Sequence, residues 1–178
     1  GRGAIPVFEA LDHEGVLERL FPEWGQVRAR PQRNAYHRFT VDRHLWEAAA
    51  NAAELMHRVS RPDLLVLGGL LHDIGKLIFH HVLDEPTQLA LREQVHTHHQ
   101  PLVWAERKIL GTDHAEVGAL MLRQWGLTEV ILEAVAHHHQ PVTTPTPSLS
   151  AAVHLADLLA HEAGAAPGFD AMAVTLDE

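Results

Sequence analysis

The run Leu64-Leu65-Val66-Leu67-Gly68-Gly69-Leu70-Leu71-His72-Asp73-Ile74-Gly75-Lys76 settles what kind of domain this chain can form. Its first eight residues are nearly all apolar, and by pattern alone they suit a buried strand or a buried helix. The flanks are helical and no segment offers a partner strand, so the run is read as a buried helix. Gly68-Gly69 then permits a close helix approach, at a propensity cost of about 1 kcal/mol each. The run ends on His72-Asp73, which makes a poor piece of hydrophobic core. It makes a good half of a metal site, with a phosphate-binding cation, Lys76, one helical turn further on the same face as His72.

Working outward, the period stays helical. Leu45, Ala49, Ala52, Met56 and Val59 recur at three- and four-residue steps, with Asp42 as the N-cap and a stop before Pro62. His44 lies on the border of that apolar stripe, beside Ala48 and Leu55, where it would face a lined pocket. Downstream, helices are expected near 86–95 and 102–110, the second ending at Gly111. Asp113 and Glu116 form a capping box that opens a helix with Val117, Leu120, Met121 and Gln124 in step, and Gly126 at C′. Thr128 caps a helix running through Val130, Ile131, Ala134 and Val135 into His137-His138-His139. Pro141 to Pro147 is a loop. Ser148 opens a last helix, with Leu149, Ala152, Val153, Ala156 and Leu159 inward, fading at Gly164. The expectation is an all-α helical bundle over residues 34–164. A lead-in segment, 1–33, would pack on it, and 165–178 would form a tail.

Composition narrows the function. The 178 residues carry a formal net charge of -9 and only two lysines, Lys76 and Lys108, which argues against binding a nucleic-acid duplex. A small phosphate ester in a locally positive metal pocket remains compatible with that charge. The absence of cysteine excludes disulfides, thiolate zinc sites and cysteine nucleophiles. No apolar run approaches the roughly 20 residues that span a bilayer, and no signal peptide is visible, so the default is a cytoplasmic location away from membranes. The chain starts Gly1-Arg2-Gly3 without a methionine, as a piece of a longer protein would.

Sixteen histidines are the compositional anomaly, and position separates the useful ones. Besides His44, His72 and Asp73, the candidates are His114, the run His137–His139, and Asp157 in an otherwise apolar stretch. A buried carboxylate needs a partner, and a metal is a good one. At most two of the triple histidines should reach one site, since helical neighbours diverge by about 100°. Asp73, next to His72, is the natural bridge between two ions, and Lys76 could neutralise a phosphate oxygen or transition-state charge. His13, His37, His57, His80, His81, His154 and His161 are taken as surface or local structure. Nothing ties His96, His98 and His99 to the pocket.

The order His, His-Asp-Ile-Gly-Lys, His, His-His, Asp resembles the HD superfamily of metal-dependent phosphohydrolases, all-α domains. The resemblance implies metal ligands at His44, His72, Asp73, His114, His138, His139 and Asp157. Pro31-Gln32-Arg33-Asn34-Ala35-Tyr36-His37-Arg38-Phe39-Thr40-Val41-Asp42-Arg43-His44 is similar to the HD domain of bacterial uridylyl-removing enzymes, which release a uridylyl group from a signalling protein. Ile109 to Ala119 and Val153 to Asp157 are similar to HDOD signalling domains, many of which lack intact ligand sets and act as scaffolds. The histidine pair is also similar to that of HD-GYP phosphodiesterases, but no Gly-Tyr-Pro is present, which speaks against cyclic di-GMP hydrolysis. Lys76 stands where the HD 5′-nucleotidases carry glutamate.

The function this implies is hydrolysis of a phosphodiester or nucleotide-type phosphate by a metal-bound hydroxide, with Asp73 and Lys76 as catalytic residues. The cofactors would be divalent ions, two of them, drawn from iron, manganese or magnesium. The substrate would be a phosphate-ester or nucleotide-like small molecule, or a nucleotidylated signalling protein. The alternative is a non-catalytic HDOD-like regulatory module that binds a protein or nucleotide. A third possibility is a closed structural metal site, in which Lys76 would have no role.

Overall fold

The computed structural model describes residues 3, 5–20, 24–25, 41–141 and 148–160, and among these the chain is helical with no strand. Residues 26–40, 142–147, where a loop is expected, and 161–178, where the last helix is expected to fade into a tail, lie outside the described residues. The helices are α1 (Ile5–His13), α2 (Val16–Leu20), α3 (Val41–Glu54), α4 (Pro62–Leu71), α5 (Ile74–Val82), α6 (Glu85–His96), α7 (Leu102–Leu110), α8 (His114–Gln124), α9 (Glu129–Ala136) and α10 (Leu149–Ala160).

The apolar run is the central helix, α4. Pro62 opens it, and Leu64, Leu65, Gly68, Gly69, Leu70 and Leu71 are all buried, so it presents no polar stripe. It packs against α3, α9 and α10. A Cβ on Gly69 would sit 3.0 Å from Ala52 Cβ and 3.2 Å from the Ala48 carbonyl, which is why α3 and α4 can approach so closely there. Leu65, Leu122, Val135 and Val153 fill the layers around it without measurable exposure. Truncating such a leucine to alanine costs about 3 kcal/mol. Ile5, Leu17 and Trp24 belong to the same core, and Trp24 stacks on Trp46 at 6.2 Å between centroids. The α6–α7 hairpin has a smaller core of its own, built on Leu91, Val95, Leu102 and Ala105.

Several boundaries behave as the end signals demand. Gly111 and Gly126 take left-handed backbone at φ 76° and 77°, closing α7 and α8. Asp113 accepts from the Glu116 N–H at 2.9 Å, while the Glu116 carboxylate takes the Thr112 hydroxyl at 2.6 Å, so only half of the capping box forms. Asp42 stands in the first turn of α3 and not at the N-cap, because the helix begins at Val41. Thr128 is at the N-cap of α9 but makes no side-chain cap bond.

Four apolar residues expected inward are exposed. Met56 falls in a 3-10 turn (Met56–Arg58) after α3 has ended, and Leu120, Val130 and Leu159 face solvent. On α8 the buried stripe is Ala115, Gly118, Ala119 and Leu122, because α5 presses so closely that only small side chains fit between them.

Candidate metal centre

Five places in the fold deliver the site. α3 brings His44, and the turn between α4 and α5 brings His72 and Asp73. His114 is the first residue of α8, His138 and His139 follow the end of α9, and Asp157 lies on α10. His44, His72, Asp73, His114, His138 and Asp157 are buried, and His139 is half-buried. All seven sequence-predicted ligand residues are therefore in one region, in two groups: His44, His72 and Asp157, and Asp73, His114, His138 and His139.

Asp73 joins the groups. Its Oδ2 faces His72 Nε2 at 3.4 Å and His44 Nε2 at 3.7 Å. Its Oδ1 faces His114 Nε2 at 3.5 Å and His138 Nε2 at 3.7 Å. Asp157 Oδ1 closes the first group, 3.3 Å from His44 Nε2 and 3.2 Å from His72 Nε2. Asp73 holds the N-cap position of α5 yet makes no capping bond; its carboxylate turns to the imidazoles instead.

Lys76 is placed differently from the sequence expectation. The helix breaks at His72-Asp73, so Lys76 lies on α5 and not on the helix that precedes His72. Its Nζ pairs with Asp73 Oδ2 at 2.9 Å. The triple histidine also breaks with helical geometry. His137 is the C-cap of α9 and exposed, and the irregular backbone after it lets the adjacent rings of His138 and His139 both face inward, 3.9 Å between centroids.

Second contacts fix the imidazole tautomers. His72 Nδ1 donates to the Gly69 carbonyl at 2.9 Å, and His138 Nδ1 to the Val135 carbonyl at 2.7 Å. His114 Nδ1 donates to Glu106 Oε2 at 2.6 Å, and the same oxygen accepts the His114 backbone N–H at 3.0 Å. Nε2 is thereby the atom each ring turns to the carboxylate oxygens, and in the neutral ring it is a lone pair. Nε2 of His72, Nε2 of His138 and Oδ1 of Asp73 are buried without a hydrogen bond. His139 Nε2 and His114 Nε2 stand 2.7 Å apart, a distance that calls for a proton or a cation between them. Acceptors converging on acceptors suit a divalent cation. Two ligand atoms each about 2.1 Å from one ion stand roughly 3.0–3.4 Å apart at bond angles near 90–110°, close to the separations seen here.

The electrostatics agree. Burial pushes the Asp73 carboxyl up, but His72, Lys76, His138 and His114 outweigh it and hold Asp73 well below the usual carboxylate range. Burial also pulls His72 down, yet Asp73 and Asp157 raise it to about 9. Burial dominates at the others: His44 is lowered, His138 falls to about 4, and His139 is lowered well below its ordinary value. Most of the imidazoles are thus held neutral, the form that binds metal.

Glu106 escaped the sequence analysis, since in Trp104-Ala105-Glu106-Arg107-Lys108 it looks like a surface charge. The signal lay in its spacing to Leu102, one turn earlier on the buried face of α7. His154, assigned to surface or local structure, donates from Nδ1 to the His138 carbonyl at 2.7 Å and so braces the turn that carries the histidine pair.

Comparison with known proteins follows the same line. The family model described as HDOD domain matches residues 25–141. A bifunctional uridylyltransferase/uridylyl-removing enzyme of Streptomyces coelicolor is 59% identical over 76 residues, 43% of this chain and 9% of that protein. One from Mycobacterium tuberculosis is 54% identical over the same length and shares. The chain thus matches about a tenth of the length of these curated relatives. A crystal structure of an HDOD domain protein of unknown function from Geobacter sulfurreducens superposes with TM-score 0.62 and 22% identity, covering 80% of this chain and 49% of that one, a likeness of fold. Among the described residues no helix is long and apolar enough to cross a membrane.

Proposed function

The chain belongs to the HDOD domain family, and from that premise we propose that it is a member with a working metal centre, a phosphohydrolase acting on a phosphodiester or nucleotide-type phosphate. The observation that carries the proposal is Asp73, whose two oxygens face two separate groups of imidazole nitrogens. His44, His72 and Asp157 would hold one ion, His114, His138 and His139 the other, and Asp73 would bridge them. Divalent ions there would supply Lewis acidity at a phosphoryl oxygen and an acidified water for attack on phosphorus.

The chain's own residues do the rest. Lys76, after His72, helps keep Asp73 ionised and would put a cation at the edge of the centre, where charge grows on phosphoryl oxygens. Glu106 locks the His114 ring and keeps its Nδ1 protonated. The buried walls exclude bulk water and strengthen each of these interactions. The substrate would be a small phosphate ester or a nucleotidylated protein. The net charge of -9 disfavours a nucleic-acid duplex.

Family membership also favours a second possibility, a regulatory module without catalysis. The complete ligand set argues against it, because a scaffold has no use for a buried cluster of facing acceptors. Hydrolysis of bis(p-nitrophenyl) phosphate by manganese- or iron-loaded protein tests the choice. Activity that Asp73→Asn abolishes supports the enzyme, and inactivity of fully loaded protein toward that diester and nucleotide esters supports the module.

A further inference from the structure

Beside the centre, a cavity of about 100 Å³ opens between α5, α6 and α7. Helical spacing builds it. Lys76, Phe79 and Leu83 follow one another at three- and four-residue steps along α5 and its C-cap, and Leu91 on α6 and Leu102 on α7 face them. Phe79, Leu91 and Leu102 are buried and Leu83 is half-buried, so the walls are hydrocarbon.

Two other lining residues belong to the centre already described. Lys76 is 2.9 Å from Asp73 Oδ2, and Glu106 is 2.6 Å from His114 Nδ1. The pocket therefore lies one side chain away from the bridging carboxylate, across Lys76, and from one ligand of the second group, across Glu106. Arg92 adds another cation to the lining. A molecule with its anionic end at the centre would lay its other end against these walls.

What that end can be follows from the walls. Phe79, Leu83, Leu91 and Leu102 offer no side-chain donor or acceptor, and the Gln88 amide nitrogen already donates to the Leu83 carbonyl at 2.9 Å. Against those four side chains a polar ring edge would give up hydrogen bonds to water without replacement, whereas a hydrocarbon ring gives up none; His80, Gln88 and Arg92 complete the lining. A cavity of about 100 Å³ is of the order of the roughly 150 Å³ apolar cavity that takes up one benzene ring.

We propose that this pocket receives an apolar substituent the size of one phenyl ring on the phosphoester held at the metal centre, and so sets the substrate class. The proposal rests on the phosphohydrolase assignment. It is tested by equilibrium binding of two non-hydrolysable ligands, phenylphosphonate and methylphosphonate, to manganese-loaded protein by calorimetry. Phenylphosphonate is expected to bind at least about tenfold more tightly, from the apolar area it buries. Leu91→Trp, and independently Leu83→Trp at a half-buried position, should erase that preference while methylphosphonate affinity and metal content stay unchanged. Equal affinities in the unaltered protein, or a preference that survives both substitutions, would overturn the pocket assignment alone. Failure of both phosphonates to bind would overturn the phosphohydrolase assignment and the pocket with it.

Discussion

Glu106 Oε2 lies 2.6 Å from His114 Nδ1 and 3.0 Å from the His114 backbone nitrogen, so one buried carboxylate fixes both the start of α8 and the tautomer of a ligand ring. Removing it frees the ring to rotate and leaves a buried donor unpaired. Glu106→Ala should weaken manganese binding by about 10- to 100-fold. Titration of the metal-free variant measures this, and an unchanged affinity would remove Glu106 from the site.

Lys76 is expected to act on turnover and not on metal retention. It is no ligand, and its pairing with Asp73 can be replaced by the ions themselves. Lys76→Ala should lower kcat by about 100-fold with metal content intact. A silent substitution would show that its charge does not reach the phosphoryl group.

The α5–α8 crossing makes a stability prediction. A Cβ on Gly75 would lie 1.9 Å from the His114 carbonyl oxygen and 2.9 Å from the Gly118 nitrogen, both backbone atoms. Gly75→Ala should force the helices apart, cost more than about 3 kcal/mol in denaturant unfolding and release metal, since the same crossing holds Asp73 beside His114. Gly69→Ala, with a nearest contact of 3.0 Å to a side-chain methyl, should be milder. Equal effects would mean that the crossing is not what fixes the site.

Proton competition at His72 sets a pH dependence. Its pKa in the metal-free protein is raised to about 9, so below that value the ring carries a proton that a metal must displace. Apparent manganese affinity should therefore rise with pH, by about tenfold per unit between pH 6.5 and 8.5, with release of about one proton per site. In the metal-free protein the protonated ring adds stability that is complete below the unfolded value of 6.5 and is lost as pH rises toward 9. An affinity that is flat across this window would contradict the assignment of His72 as a ligand.

The all-α class was legible because an apolar run with helical neighbours has no strand to pair with, and Gly111, Asp113, Gly126 and Ser148 mark helix ends through backbone chemistry that needs no tertiary context. The ligand residues stood out because polar side chains interrupt apolar stretches at His72-Asp73 and Asp157. Tertiary packing hid the rest. The break between α4 and α5 carries no proline and no end signal, so Lys76 was assigned to the wrong helix. The face of α8 was misjudged because close approach to Gly75 selects Ala115, Gly118 and Ala119 over Leu120. Glu106 looks like any surface charge until α7 lies against the start of α8.

Metal content per chain, measured by elemental analysis on untagged protein incubated with manganese and iron(II) and then desalted, decides whether Asp73 joins two ions. The bridged arrangement around Asp73 predicts about two ions per chain, lost together in Asp73→Ala. No retained metal, or the same content in the variant, would contradict it.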